Sequence, residues 1–185
     1  MLNNVIVLSP MSKIFVTSDT HFNHKNILTY CPNRKFASIE AMNEAIITDW
    51  NSKVTTNDIV YHLGDVAMGP NDKHIGFLSQ LAGNIKIVPG NHDRYLVKIA
   101  KTNGLPPHVQ MLSPIFNLKH KSRNFVLCHF PMEWWEGMAE NSSDYMDGSI
   151  HLHGHTHGNM HAKKDRWDIG YDVFGGLVLL DNFVL

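Results

Sequence analysis

At 185 residues, the chain is long enough for one domain that buries roughly 70% of its unfolded surface without a disulfide staple. Sixteen Lys plus Arg against seventeen Asp plus Glu give a formal charge of -1, and no basic run stands out, which argues against bulk electrostatic binding to nucleic acid. Two unpatterned cysteines, Cys31 and Cys128, rule against a secreted disulfide framework and read as reduced packing residues. No window approaches the roughly 18 apolar residues of a membrane span, and the opening lacks a signal-peptide pattern, so a cytoplasmic protein away from membranes is expected. Met11 lies directly before the first motif-bearing strand and is a second plausible start. Residues 1 to 12 are therefore expected to be an extension or an added edge strand.

Taken in order, the chain first shows a strand-like run from Lys13 to Ser18 that ends in Asp19-Thr20-His21. A helix is expected over Ile39 to Ser52, because Ser38 can cap it and Met42, Ala45, Ile46 and Trp50 recur on one face. A strand over Asp58 to Leu63 runs into Gly64-Asp65. A second helix should begin with Asn71 as its cap and continue to about Leu81. The strand from Asn84 runs into Gly90-Asn91-His92-Asp93, and a short helix should cover Asp93 to Lys101. This alternation of strand and helix favours a parallel sheet.

From Ile115 the pattern becomes strand-rich. Ile115 to Lys119 and Asn124 to Cys128 flank a polar turn and read as a hairpin that delivers His129. Ile150 to His153 leads into Gly154-His155-Thr156-His157, and strands are expected over Arg166 to Tyr171 and Leu177 to Leu180. The whole predicts an α/β fold of two packed mixed sheets flanked by helices, in a single domain over residues 1 to 185. Phe130 to Gly148 is the longest irregular stretch, and its place after His129 suits a lid or a substrate wall.

Five polar motifs thus follow five apolar runs, and parallel strands deliver such residues to one edge of a sheet. Asp19, His21, Asp65, Asn91, His129, His155 and His157 mix imidazole with oxygen and include no thiolate, which suits Mn, Fe, Zn or Co better than Ca or an iron–sulfur cluster. Seven donors exceed one tetrahedral zinc but fit two ions that share a carboxylate. Two divalent ions against two Asp carboxylates leave the site positive, so an anionic substrate, phosphate above all, is expected.

In this order the motifs Asp-x-His, Gly-Asp, Gly-Asn-His-Asp, a lone His and Gly-His-Thr-His resemble the calcineurin-like metallophosphoesterases, over Asp19 to His157. The stretch Ser18 to Ile27 further resembles a small bacterial and phage branch of single-domain members. The resemblance implies an α/β/β/α sandwich and two transition-metal ions, manganese first with Fe, Zn, Co or Ni as alternatives. It places one ion on Asp19, His21, Asp65 and His157 and the other on Asp65, Asn91, His129 and His155. His92 would contact the phosphate or protonate the leaving group. The protein serine/threonine phosphatases of the superfamily carry a second Asp three residues beyond the bridging one, then an Arg. Met68 and Gly69 stand there in this chain, which argues against a protein phosphatase.

Other residues carry weaker expectations. Asn23, His24 and Arg94 are candidate substrate contacts, and Trp134 and Trp135, with Tyr145 nearby, are candidates to stack a nucleobase or to bury aromatic area under the loop. Asp93 either starts a helix or orients His92. His151 and His153 read as structural. His62, His74, His108 and His120 read as ordinary surface or strand histidines, and His161 has no motif support. The expected activity is hydrolysis of a small phosphate ester, nucleotides included, by a hydroxide shared between the metals, with a phosphodiester favoured. The rivals are a phosphomonoesterase using the same site and a non-catalytic metal-binding or protein-binding scaffold of this fold, as in a retromer subunit.

Overall fold

A computed structural model describes residues 12–69, 71–138, 148–161 and 163–184. The proposed extension through residue 11, Tyr145 and the middle of the loop after His129 lie outside the described residues. Four parallel strands lead the first sheet: β1 (Ile14–Thr17), β2 (Ile59–His62), β3 (Asn84–Ile87) and β4 (Val109–Met111). The connections between the first three carry α1 (Ile27–Tyr30), α2 (Ile39–Lys53) and α3 (Asn71–Leu78), and α4 (Arg94–Ala100) joins β3 to β4. The second sheet holds the antiparallel hairpin β5 (Ile115–His120) and β6 (Arg123–Cys128), then β7 (Ile150–His153) and β8 (Arg166–Asp168) parallel to β6. After α5 (Tyr171–Phe174), β9 (Val178–Leu179) returns to the first sheet antiparallel to β1, giving the order β4-β3-β2-β1-β9.

Alternation along the strands sorts the core into two layers. Phe15, Val60, Ile85 and Ile87 face Met42, Ile46 and Trp50 of α2. Val16, Tyr61 and Val88 belong instead to a layer with Phe125, Leu127, Ile150 and Leu152 of the second sheet. The long helix forms where expected because Ser38 Oγ accepts from Ala41 N at 3.1 Å, and Trp50 is fixed by its indole N–H on Ala82 O at 2.9 Å. Asp58 ties the starts of β1 and β2 together, accepting from Lys13 N and Thr55 N at 2.7 Å each.

Several expectations are corrected. The helix from Asn71 ends at Leu78 rather than Leu81, and the strand from Arg166 ends at Asp168. Tyr171, expected on that strand, opens α5 instead. The elements α1, β4 and α5 are each four residues or fewer, too short to show a period in sequence. Both cysteines are buried and free. His62 lies on β2 as a buried strand residue and His74 is buried in α3: His62 accepts from Gly64 N at 3.2 Å through Nδ1 and meets Thr20 Oγ1 at 2.9 Å. Burial holds the His62 imidazole down to about 3, so it serves as a neutral brace under the β2 loop. His151 and His153 are structural, with Nδ1 on Val126 O at 2.9 Å and on Gly154 O at 2.8 Å. Among the described residues no helix is long and apolar enough to cross a membrane.

Candidate metal centre

The loops after β1, β2, β3, β6 and β7 all meet at one edge. Backbone bonds knit the first two together: Asp19 N donates to Gly64 O, His21 N to Asp65 O and Phe22 N to Val66 O, at 2.9 to 3.0 Å. Gly154 N donates to His129 O across the second sheet at 3.0 Å. Asp19, His21, Asp65, His155 and His157 all adopt positive φ, between 49° and 69°. For residues other than glycine this left-handed region costs roughly 1 to 2 kcal/mol each, and such strain clusters where it serves a site. It turns successive side chains off the strand direction and inward. Gly154 permits the closest approach, since a Cβ there would collide with Ser18 Oγ and Asp19 Oδ2.

Two donor groups result. Asp19, His21 and His157 converge within 4.8 Å of one another, and so do Asp65, His129 and His155. Asp65 also reaches toward the first group, its Oδ2 lying 3.7 Å from His21 Nε2 and 3.4 Å from His129 Nε2. Asn91 Oδ1 completes the second group at 3.1 Å from His129 Nε2. All seven residues singled out as ligands are thus brought together, with Asp65 in the middle.

The chemistry of these atoms fits cations. His21 is 2% exposed, yet neither ring nitrogen has a hydrogen-bond partner among the described residues. A buried polar atom without a partner is costly unless something absent from the protein chain satisfies it. The Asp19 to His21 and Asp65 to His21 separations, both 3.7 Å, are too long for hydrogen bonds but suit donors held about 2.0 to 2.2 Å from a shared ion. His129 Nδ1 lies 2.7 Å from Leu63 O, so it carries the proton and leaves Nε2 bare. Burial pushes the Asp19 carboxyl up to about 6, against the pull of His129 and His157, and drives His21 far below its ordinary value. Both shifts come first from burial, which disfavours the charged form of each group.

Sequence reasoning missed the pair that holds His157. Asp172, in α5, accepts from His157 Nδ1 at 2.6 Å and from Arg34 Nε and Nη2 at 2.7 Å each. Arg34 is 4% exposed and also donates to Asp19 O at 2.6 Å and Thr20 O at 3.0 Å. The hydrogen bond to Asp172 pulls the His157 imidazole up against burial and frees Nε2 to point at the centre. Asp172→Asn should therefore weaken metal binding about 10- to 100-fold. It should also cost about 3 to 5 kcal/mol of stability by stranding Arg34. Chelator competition and thermal melting check both, and unchanged metal affinity would refute the role.

The remaining candidates divide. His92 N donates to Asp65 Oδ1 at 2.9 Å, its ring Nε2 is 3.8 Å from Asp65 Oδ2, and its side chain is 37% exposed. Asp93 starts α4 as its N-cap residue, with its backbone O accepting from Val97 N at 2.9 Å, but its carboxylate makes no cap bond and is spent on Gly90 N, Asp65 N and Val66 N at 2.7 to 3.0 Å. It clamps the β2 and β3 loops together. His24 stacks near the centre, its ring 5.1 Å from His21 and 6.2 Å from His92. Asn23 Nδ2 donates to Met68 O at 3.2 Å. Arg94 is exposed at the start of α4. Trp135 is tied down by its N–H on Ser149 O at 3.1 Å with its ring 5.3 Å from His151. Trp134 is 69% exposed. The aromatic ring at the centre is Phe130, 45% exposed and 4.7 Å from His155 and 5.1 Å from His129.

Comparisons with known proteins agree with this geometry. A family model described as calcineurin-like phosphoesterase matches residues 12–177. An uncharacterized protein of Methanocaldococcus jannaschii is 36% identical over 154 residues, covering 80% of this chain and 72% of that protein. The gene 66 protein of Mycobacterium phage L5 is 28% identical over 194 residues, covering 93% and 92%. A solved structure of a protein of unknown function from Aquifex aeolicus superposes with a TM-score of 0.68 at 20% identity, over 94% of this chain and 98% of that one, which shows a shared fold. With its family match running from before Asp19 to beyond His157, the chain belongs to the calcineurin-like phosphoesterases, phosphoric ester hydrolases that work with divalent metal ions in a dinuclear centre.

Proposed function

We propose that the chain hydrolyses a small phosphodiester with two transition-metal ions, manganese first, that share Asp65. Asp19, His21, Asp65 and His157 would hold one ion and Asp65, Asn91, His129 and His155 the other. The observation that carries this reading is the Asp65 carboxylate standing between two groups of donors. When bound, the ions would polarise the phosphoryl oxygens and supply an activated water. His92, half turned to solvent beside that carboxylate, would donate a proton to the leaving oxygen, a task imidazole suits near neutral pH. The diester preference rests on Met68 and Gly69, which leave the site without the acid and Arg that would serve a dianionic group. One domain and a cytoplasmic setting belong to the same reading, supported by a family match over most of the chain and by two free, buried thiols.

The Mn-reconstituted protein should show higher kcat/KM on bis-nitrophenyl phosphate than on nitrophenyl phosphate. The reverse order would make it a phosphomonoesterase. Failure to turn over either ester with both ions bound would favour a scaffold. If the natural ester is a nucleotide, the base platform is Phe130 rather than Trp134 or Trp135. Phe130→Ala should then cost about 1 to 3 kcal/mol of nucleotide binding, seen as a higher KM with kcat retained. A methyl ester should hardly respond, and equal losses on both substrates would remove the nucleotide reading.

A further inference from the structure

A second cavity, of about 270 Å³, lies at the opposite end of the second sheet, bordered by Arg123 and Ile150 at the starts of β6 and β7. The six residues of β6 separate it from His129 by roughly 17 to 20 Å, at about 3.3 Å per residue. Its other walls are largely apolar: Trp167, Phe174, Val178 and Phe183. Trp167 and Phe174 are each 43% exposed, so a large aromatic surface stands open to whatever enters. Arg123 is the anomaly in this setting. It is only 3% exposed, yet its Nε and Nη1 have no hydrogen-bond partner among the described residues. By contrast, Arg34 and Arg166, equally buried, are paired with Asp172 and Glu133. A guanidinium withdrawn from water without an ion pair among the described residues is among the most expensive arrangements a fold can keep, and it marks a place where an anion is expected.

We infer that this cavity binds a small monoanionic carboxylate on an aromatic or branched aliphatic body, with Arg123 facing the carboxylate and Trp167 and Phe174 covering the body. The charge sets the class. A single buried guanidinium, with two nitrogens that lack partners among the described residues, is balanced by one carboxylate and exceeded by a dianion. Mostly apolar walls with one oriented cation are the usual design of a small-ligand site. The site does not depend on the phosphoesterase reading, since no metal-centre residue lines it.

Calorimetry of the metal-loaded protein with phenylacetate and its neutral analogue phenylacetamide tests the assignment. Phenylacetate should bind one to one and quench tryptophan fluorescence, and phenylacetamide should bind at least about tenfold more weakly, the value of a charge-assisted hydrogen bond. Arg123→Gln should remove that discrimination, whereas Arg123→Lys should keep part of it. Trp167→Ala, a substitution at a half-exposed ring that spares the buried cation, should weaken both ligands. Absence of saturable binding would mean that water alone fills the cavity. Equal affinity for acid and amide, or acid binding unchanged in Arg123→Gln and in Trp167→Ala, would place the ligand elsewhere and overturn the site.

Discussion

Asp65→Asn should remove metal from both positions and abolish turnover while the protein stays folded. The exchange keeps the size of the side chain and an oxygen to accept from His92 N, so the β3 loop retains its clamp. What is lost is the charge that lies within 3.4 to 3.7 Å of histidines from both donor groups. Substitutions one step removed from a metal typically cost 10- to 100-fold in affinity, and a shared ligand should exceed about a hundredfold. His155→Ala removes a donor from one group only, so it should lose less metal than Asp65→Asn. Elemental analysis after dialysis gives the order, and a larger loss in His155→Ala would contradict the central place of Asp65.

His92→Ala should behave in the opposite way, keeping both ions and losing roughly 10²- to 10⁴-fold in kcat, the usual contribution of a general acid. His92 belongs to neither donor group and is the most exposed of the three imidazoles whose Nε2 lies 3.4 to 3.8 Å from Asp65 Oδ2. The defect should be largest on esters with a poor leaving alcohol and smaller on nitrophenyl esters, whose leaving group departs without a proton. A uniform loss on both would assign His92 to phosphate binding instead. Because Asp93 is consumed by three backbone amides, Asp93→Asn should act on stability and on the joint between two loops, with no separate effect on the leaving-group dependence.

What the sequence disclosed and what it hid follow from the range of the interactions. Every ligand candidate sits within four residues of a strand end, so a local motif plus the rule that parallel strands share an edge was enough to bring seven side chains together. Arg34 and Asp172 are 138 residues apart and carry no motif, so their pairing and its hold on His157 could be read only from the fold. The same is true of Asp93, whose carboxylate looks like the first turn of a helix in sequence but answers amides 27 and 28 residues upstream. The placement of Trp135 and Phe130 was likewise hidden in the sequence. The larger ring is tethered to β7 at Ser149 and His151, while the residue directly after ligand His129 is the one carried to the centre. The long capped helix was legible because four turns repeat one apolar face. Pieces of four residues or fewer offer no period to read.

The count of ions per chain tests the central claim most directly. Protein stripped by chelator, reconstituted with excess manganese and desalted should hold two equivalents per chain, with the second lost together with the first in Asp65→Asn. One equivalent in the unaltered protein, retained when Asp65 is replaced, would show that the carboxylate bridges nothing and that the two donor groups do not form one centre.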